Sequence, residues 1–255
     1  MADYHDFFSK NADYYSKSKS HRTGQDLAML IKALNVSGDS VGLDLATGTG
    51  YTAFEFAKMA HKVYALDGTR EMLDLAAKSA SDLGLSNIEF VLGSAERLPF
   101  DSETFDIVSC RRAAHHFKDK HAFLDEAGRV LKVGGRFGLV DFVRPEKDAS
   151  NLFNRIEVMR DPSHIGALSF TEWCDMVKNH GFKILESQVI RRSIPFGEWL
   201  SPVSVENDAG LRIQKLLRSV SAYELERINF DLDAMEIKKD YLVLTCAKVN
   251  DEVKL

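Results

Sequence analysis

The sequence is poor in several things, and each absence closes a class of function. Its 255 residues hold three cysteines, Cys110, Cys174 and Cys246. An odd number at wide spacing excludes a disulfide framework, a redox CxxC pair and a zinc cluster, so no metal site is expected. Cys110 and Cys246 sit in apolar runs and read as small core residues in a reducing, cytoplasmic setting. No run reaches the length of a membrane helix, so stable membrane insertion is not expected. The start, MADYHDFFSKNADYY, is polar and aromatic, unlike a signal peptide. There is no basic tract, and the net charge is −5. Phosphate neutralisation supplies most nucleic-acid affinity, so a nucleic-acid partner is not expected. Internal repeats, low-complexity segments and linkers are also missing. Residues 1–255 are therefore expected to form a single domain, as a monomer or homodimer.

What is present is a regular alternation. Leu27, Leu30, Ile31 and Leu34 have helical spacing. Strands are predicted at VGLDLA (41–46), KVYALD (62–67), IEFVLG (88–93), FDIVSC (105–110) and GGRFGLVDFV (134–143). Helices follow at about 51–60, at 70–83 with Thr69 as N-cap, and after Asp119. Alternation over 41–143 specifies a mostly parallel sheet with helices on both faces, an α/β Rossmann-like fold. Ligands bind such sheets at the carboxyl ends of the strands, where strand order reverses. Residues 144–168 read as an inserted helix and loop. Ser169 and Glu172 have capping-box spacing. A sixth strand is expected at 181–190, helical and irregular chain at 191–227, and a last, antiparallel strand at YLVLTCAKV (241–249). That makes seven strands, with 144–168 and 191–227 as helical lid insertions.

The segment GLDLATGTGYTAFEFA (42–57) places Gly48, Thr49 and Gly50 between a strand and a helix. Glycines there let backbone approach a ligand, and the helix N-terminus favours negative charge. Asp67 ends the next strand, where a carboxylate accepts ribose hydroxyls. This pair serves NAD and S-adenosylmethionine equally well. Asp44 favours the second, unless it merely bonds backbone amides of the loop. A buried acid wants a cationic or hydrogen-bonding partner, which a sulfonium ligand with an ammonium group offers and a pyrophosphate does not.

LDLATGTG, ALDGTREML, GSAERLPFDSETFDIVSCRRAAHHF and VLKVGGRFGLVDF occur in order. Together they resemble the successive motifs of class I S-adenosylmethionine-dependent methyltransferases, nearest the branch of ubiquinone/menaquinone C-methyltransferases, over roughly residues 20–190. The resemblance implies S-adenosylmethionine as cofactor and S-adenosylhomocysteine as product. It implies that Asp44, Ala46, Gly48, Thr49 and Gly50 contact the methionine half and that Asp67 holds the ribose. Gly68 and Met72 would lie near the adenine, with Ser94 and Ala95 flanking the ring. Arg111 would line the methyl-donor end, and Tyr14, Tyr15 and His21, within N-terminal helices spanning 1–40, would fold over the cofactor. Ala46 stands where the family often has glycine, and Ser94 where it often has an acid.

The expected activity is methyl transfer to carbon or oxygen of a small-molecule acceptor. An NAD-dependent oxidoreductase and a catalytically silent binding protein are the alternatives. His115 and His116 follow the fourth strand and are the candidate catalytic residues, able to take a proton or orient an acceptor. One of them is alternatively a structural group. Arg160 and His164, in MRDPSH, are the candidate acceptor-binding residues; Arg160 suits a carboxylate, or else it pairs with neighbours and fixes the lid. Of Arg111 and Arg112, one is expected to face the cleft and the other solvent.

Overall fold

The computed structural model describes residues 8, 9, 11, 22–201 and 205–249. Tyr14, Tyr15 and His21 lie outside the described residues. Helix α1 (Gln25–Leu34) precedes five strands, β1 (Val41–Leu45), β2 (Lys62–Asp67), β3 (Ile88–Leu92), β4 (Phe105–Arg111) and β5 (Leu131–Val143). Between them run α2 (Tyr51–Ala57), α3 (Arg70–Asp82) and α4 (Lys120–Val130). Then come α5 (Leu152–Arg160), α6 (Phe170–Asn179), β6 (Phe182–Pro195), α7 (Phe196–Leu200), α8 (Asp208–Ser219), α9 (Ala222–Arg227), β7 (Phe230–Asp231) and β8 (Glu236–Lys248).

The sheet order is β3-β2-β1-β4-β5-β8-β6, with β7 paired to β8. Strands β1 to β5 are parallel, and β8 runs antiparallel to both β5 and β6. Because β1 is flanked by β2 on one side and β4 on the other, strand order reverses there, and the crevice opens at the carboxyl ends of β1 and β4. Apolar side chains fill both sheet faces. Leu30, Leu34, Phe56, Ile107 and Val243 lie on one, and Phe123, Phe137, Trp173 and Phe182 on the other. Helix α1 can lie flat on β5 only because position 138 is glycine: a Cβ there would stand 2.5 Å from Leu30 Cδ1. A third apolar cluster joins the two insertions to the sheet, through Phe153, Ile156, Trp199, Ile213 and Tyr241. Among the described residues no helix is long and apolar enough to cross a membrane.

The expected architecture is present, with differences at the edges. An eighth strand, the two-residue β7, is added. Strand β6 runs on to Pro195, so the insertion expected from 191 begins only after it. Strand β8 likewise starts at Glu236, because its ladder with β6 continues past the apolar segment into Arg191, Arg192 and Ser193. Charged residues suit a sheet edge, and they hide the strand from an apolar pattern. Asp119 and the Ser169–Glu172 box cap their helices. Thr69 stands at the N-cap of α3 without a side-chain bond; the Asp67 carboxylate accepts the Thr69 N–H at 2.8 Å instead.

Candidate active site

Two cavities meet at the carboxyl ends of β1 and β4. The larger, about 250 Å³, is lined by Asp44, Ala46, Thr47, Gly48, Thr49, Asp67, Gly68, Met72, Ser94, Ala95 and Arg111, among others. It thus gathers every described residue assigned to the cofactor except Gly50, which shapes the loop from behind. Gly50 has φ +94°, and a Cβ on it would stand 2.5 Å from the buried Phe54 ring. Gly50→Ala should cost roughly 2–4 kcal/mol from left-handed strain plus overpacking. Urea denaturation reads this directly, and an unchanged midpoint would mean that the turn relaxes. Ala46 also takes a positive φ, +52°, where the family's glycine would be unstrained.

Asp44 is buried, and its carboxylate accepts from Thr47 Oγ1 and Ser109 Oγ, each at 2.7 Å. Burial raises its pKa to about 6, even with these two bonds. A cationic ligand group beside it would reverse that shift. Asp67 braces the loop, accepting from Gly48 N–H as well as Thr69 N–H, both at 2.8 Å. An ionised carboxylate offers about four acceptor sites, so bracing a loop and holding a diol are compatible tasks. The site therefore fits a ligand with a ribose and a cationic end.

Arg111 and Arg112 depart from the expectation of one inward and one outward side chain. Both are nearly buried, and both bond Asp26 of α1, at 2.8 Å from Arg111 Nε and at 2.9 Å from Arg112 Nε and Nη2. One carboxylate thus holds two guanidinium groups.

The second cavity, about 160 Å³, shares Phe8, Arg112 and His116 with the first. Its wall includes His115, Phe142, Arg160, Asp161, Arg192, Trp199, Lys239 and Tyr241. The two histidines are held differently. His115 is buried; its Nδ1 lies 2.7 Å from Asp141 Oδ1, and its backbone N–H donates to Asp141 Oδ2. His116 is half-buried, reaches both cavities, and sets Nδ1 3.1 Å from Ser163 Oγ. Ser163 Oγ donates in turn to Asp161 Oδ1 at 2.5 Å. With that hydroxyl proton committed to Asp161, Ser163 accepts from His116 Nδ1–H, and the lone pair lies on Nε2. That atom has no hydrogen bond among the described residues, and His116 lines both cavities.

Arg160 lines the second cavity, but His164 lines neither. His164 packs behind the wall, stacked on Phe142, with Nε2 2.9 Å from Asn154 Oδ1. Asn154 Oδ1 also accepts from Ala167 N–H, so His164 ties α5 to the chain at Ala167. Behind the same wall Glu157 is wholly buried. Its carboxylate accepts from Lys239 Nζ (2.6 Å), Trp199 Nε1 (3.0 Å) and Arg160 Nη2 (2.9 Å). Burial would raise its pKa; Lys239 and Arg160 outweigh burial and hold it well below the ordinary range. Burial brings Lys239 down to about 8 against the pull of Glu157.

The histidines set the acid limit of the fold. Burial lowers His115, His116 and His164, the last to about 2. Unfolded, each takes up a proton near pH 6.5, so stability falls as pH drops below that. Burial raises Asp44 and Asp141 to about 6, so the folded chain gains those two protons first and opposes the trend. The three histidines outnumber the two acids, so a net loss of stability is expected between pH 6 and 5. Urea midpoints at pH 7, 6 and 5 check this; a midpoint that rises on acidification contradicts it.

A glycine loop at a switch point, an acid at or next to the end of each of β1 and β2, and a second cavity that shares residues with the first make up the candidate active site. Residues 43–139 match the family of methyltransferase domains. An uncharacterised methyltransferase of Bacillus subtilis, YcgJ, is 37% identical over 194 residues, covering 76% of this chain and 77% of that one. A demethylmenaquinone methyltransferase of Deinococcus radiodurans is 41% identical over 116 residues, under half of each chain (45% and 46%). A solved structure of a putative methyltransferase from Bacillus halodurans superposes with a TM-score of 0.84 at 32% identity, over 89% of this chain and all of that one. The chain belongs to the methyltransferase family, on the class I fold.

Proposed function

We propose that the protein transfers a methyl group from S-adenosylmethionine to carbon or oxygen of a small-molecule acceptor. The observation that carries this reading is the junction of the two cavities at His116, beside a site whose acids suit a ribose and a cationic ligand end. The cofactor, when bound, supplies a methyl group already activated on positively charged sulfur. Asp67 would accept from the ribose diol, and Asp44 would face the cationic methionine half with Ala46, Gly48 and Thr49. Gly68, Met72, Ser94 and Ala95 would enclose the adenine, and Arg111 the methyl-donor end. His116 is the candidate base. His115, bonded to Asp141 through ring and backbone, positions the turn that carries it. Alignment of acceptor and donor supplies much of the acceleration in such a displacement. Residues 144–168 and the chain after Pro195 cover the acceptor side.

The test is incubation with methyl-labelled S-adenosylmethionine and a metabolite extract of low molecular mass. Label moving into small molecules supports the reading. Label remaining on the cofactor, or passing only to macromolecules, overturns it.

A further inference from the structure

The second cavity carries chemistry that the methyltransferase reading leaves undefined. Its volume, about 160 Å³, is close to that of an engineered cavity of about 150 Å³ that takes one benzene ring. Three aromatic residues, Phe142, Trp199 and Tyr241, are among those that line it. Its charge is arranged by depth. Arg112, Arg160, Arg192 and Lys239 line it, while the carboxylates that hold three of them, Asp26 and Glu157, stand behind the wall. Two carboxylates line it as well. Asp161 is engaged by Ser163, and Glu198 is exposed. Arg192 is the exception among the cations: it makes no ion pair among the described residues, and lies 5.8 Å from the Tyr241 ring centre. A half-buried guanidinium without a carboxylate is a ready anion site, because its planar donors match a carboxylate. Opposite in function stands His116 Nε2, an acceptor with no partner among the described residues, fixed by Ser163 and Asp161.

Resting on the methyltransferase reading, we propose that this chamber binds a single-ring aromatic anion, with its carboxylate or like-charged group on Arg192 and a hydroxyl at His116. The hydroxyl oxygen forms a bond to the methyl carbon. The carbon–sulfur bond breaks, its electron pair going to sulfur. The hydroxyl proton passes to His116 Nε2, and the imidazolium later returns it to solvent. Ser163 is a positioning residue: it fixes the tautomer that leaves Nε2 as acceptor, and it connects the imidazolium to the Asp161 charge. O-methylation is thereby favoured over C-methylation.

The test is calorimetric titration of the protein saturated with S-adenosylhomocysteine. The probes are 4-hydroxybenzoate and its neutral analogue, 4-hydroxybenzyl alcohol. The carboxylate should bind tighter by on the order of ten-fold or more, and Arg192→Gln should abolish that preference while S-adenosylhomocysteine still binds. Equal binding of the two probes, binding of neither, or a preference that survives Arg192→Gln overturns the acceptor class and leaves the methyltransferase reading standing. Failure of S-adenosylhomocysteine itself to bind removes both. In the same complex, ¹⁵N shifts should show His116 protonated at Nδ1, and Ser163→Ala should move the proton toward Nε2. A His116 protonated at Nε2 in the parent protein overturns the role of the hydroxyl.

Discussion

Glu157→Gln should destabilise the protein by about 3–5 kcal/mol, the usual cost of removing one partner from a buried ion pair. The glutamine keeps the shape and one acceptor oxygen, so the loss is one of charge. It leaves Lys239 and Arg160 facing each other without the carboxylate that now lies 2.6 Å and 2.9 Å from them. Glu157 also joins three elements, α5 that carries it, α7 through Trp199, and β8 through Lys239. Both insertions are pinned to the sheet at this one carboxylate. Lys239→Met added to Glu157→Gln should recover part of the loss, because a buried cation and its missing partner leave together. Urea denaturation of both variants measures the two quantities. A single variant within 1 kcal/mol of the parent, the scale of an exposed pair, would show that water reaches the cluster.

Asp67→Ala should weaken S-adenosylhomocysteine binding by about 1.5–3 kcal/mol, or about 10- to 150-fold, through loss of charge-assisted bonds to the ribose. The geometry adds a second effect. The same carboxylate ties Gly48 N–H to Thr69 N–H in the wall of the larger of the two cavities. The alanine variant should therefore also lose stability without ligand. Calorimetry gives the first quantity, and ligand-free denaturation the second. Unchanged affinity would remove Asp67 from the ribose.

The parallel core was legible because its inner strands are largely buried on both faces and its loops carry turn residues at the right offsets. VGLDLATGTGY states a strand, a turn and a helix start in eleven residues. The second cavity was less legible because it is assembled from residues far apart in the chain. Arg112 and the Asp26 that holds it are 86 positions apart, and Lys239 and its Glu157 are 82. Signals for their burial were present all the same. Asp26 falls at i, i+4, i+8 with Leu30 and Leu34, on the core face of α1. Glu157 lies four residues after Phe153, and Lys239 shares a face of β8 with the buried Ile237 and Tyr241. A charge at an apolar position of a periodic pattern forecasts a buried partner, but not which one. His164 misled for a related reason. Its neighbours Arg160 and Asp161 face the cavity, while the turn through Asp161 and Ser163 sends His164 behind the wall.

The central claim is that the loop from Ala46 to Gly50, with Asp44 and Asp67, holds S-adenosylmethionine. Isothermal titration with S-adenosylhomocysteine, and separately with NAD, tests it most directly. The account predicts micromolar binding of the first and none of the second. Binding of NAD alone would contradict it, and would return the glycine loop to the dinucleotide reading that its residues alone allow.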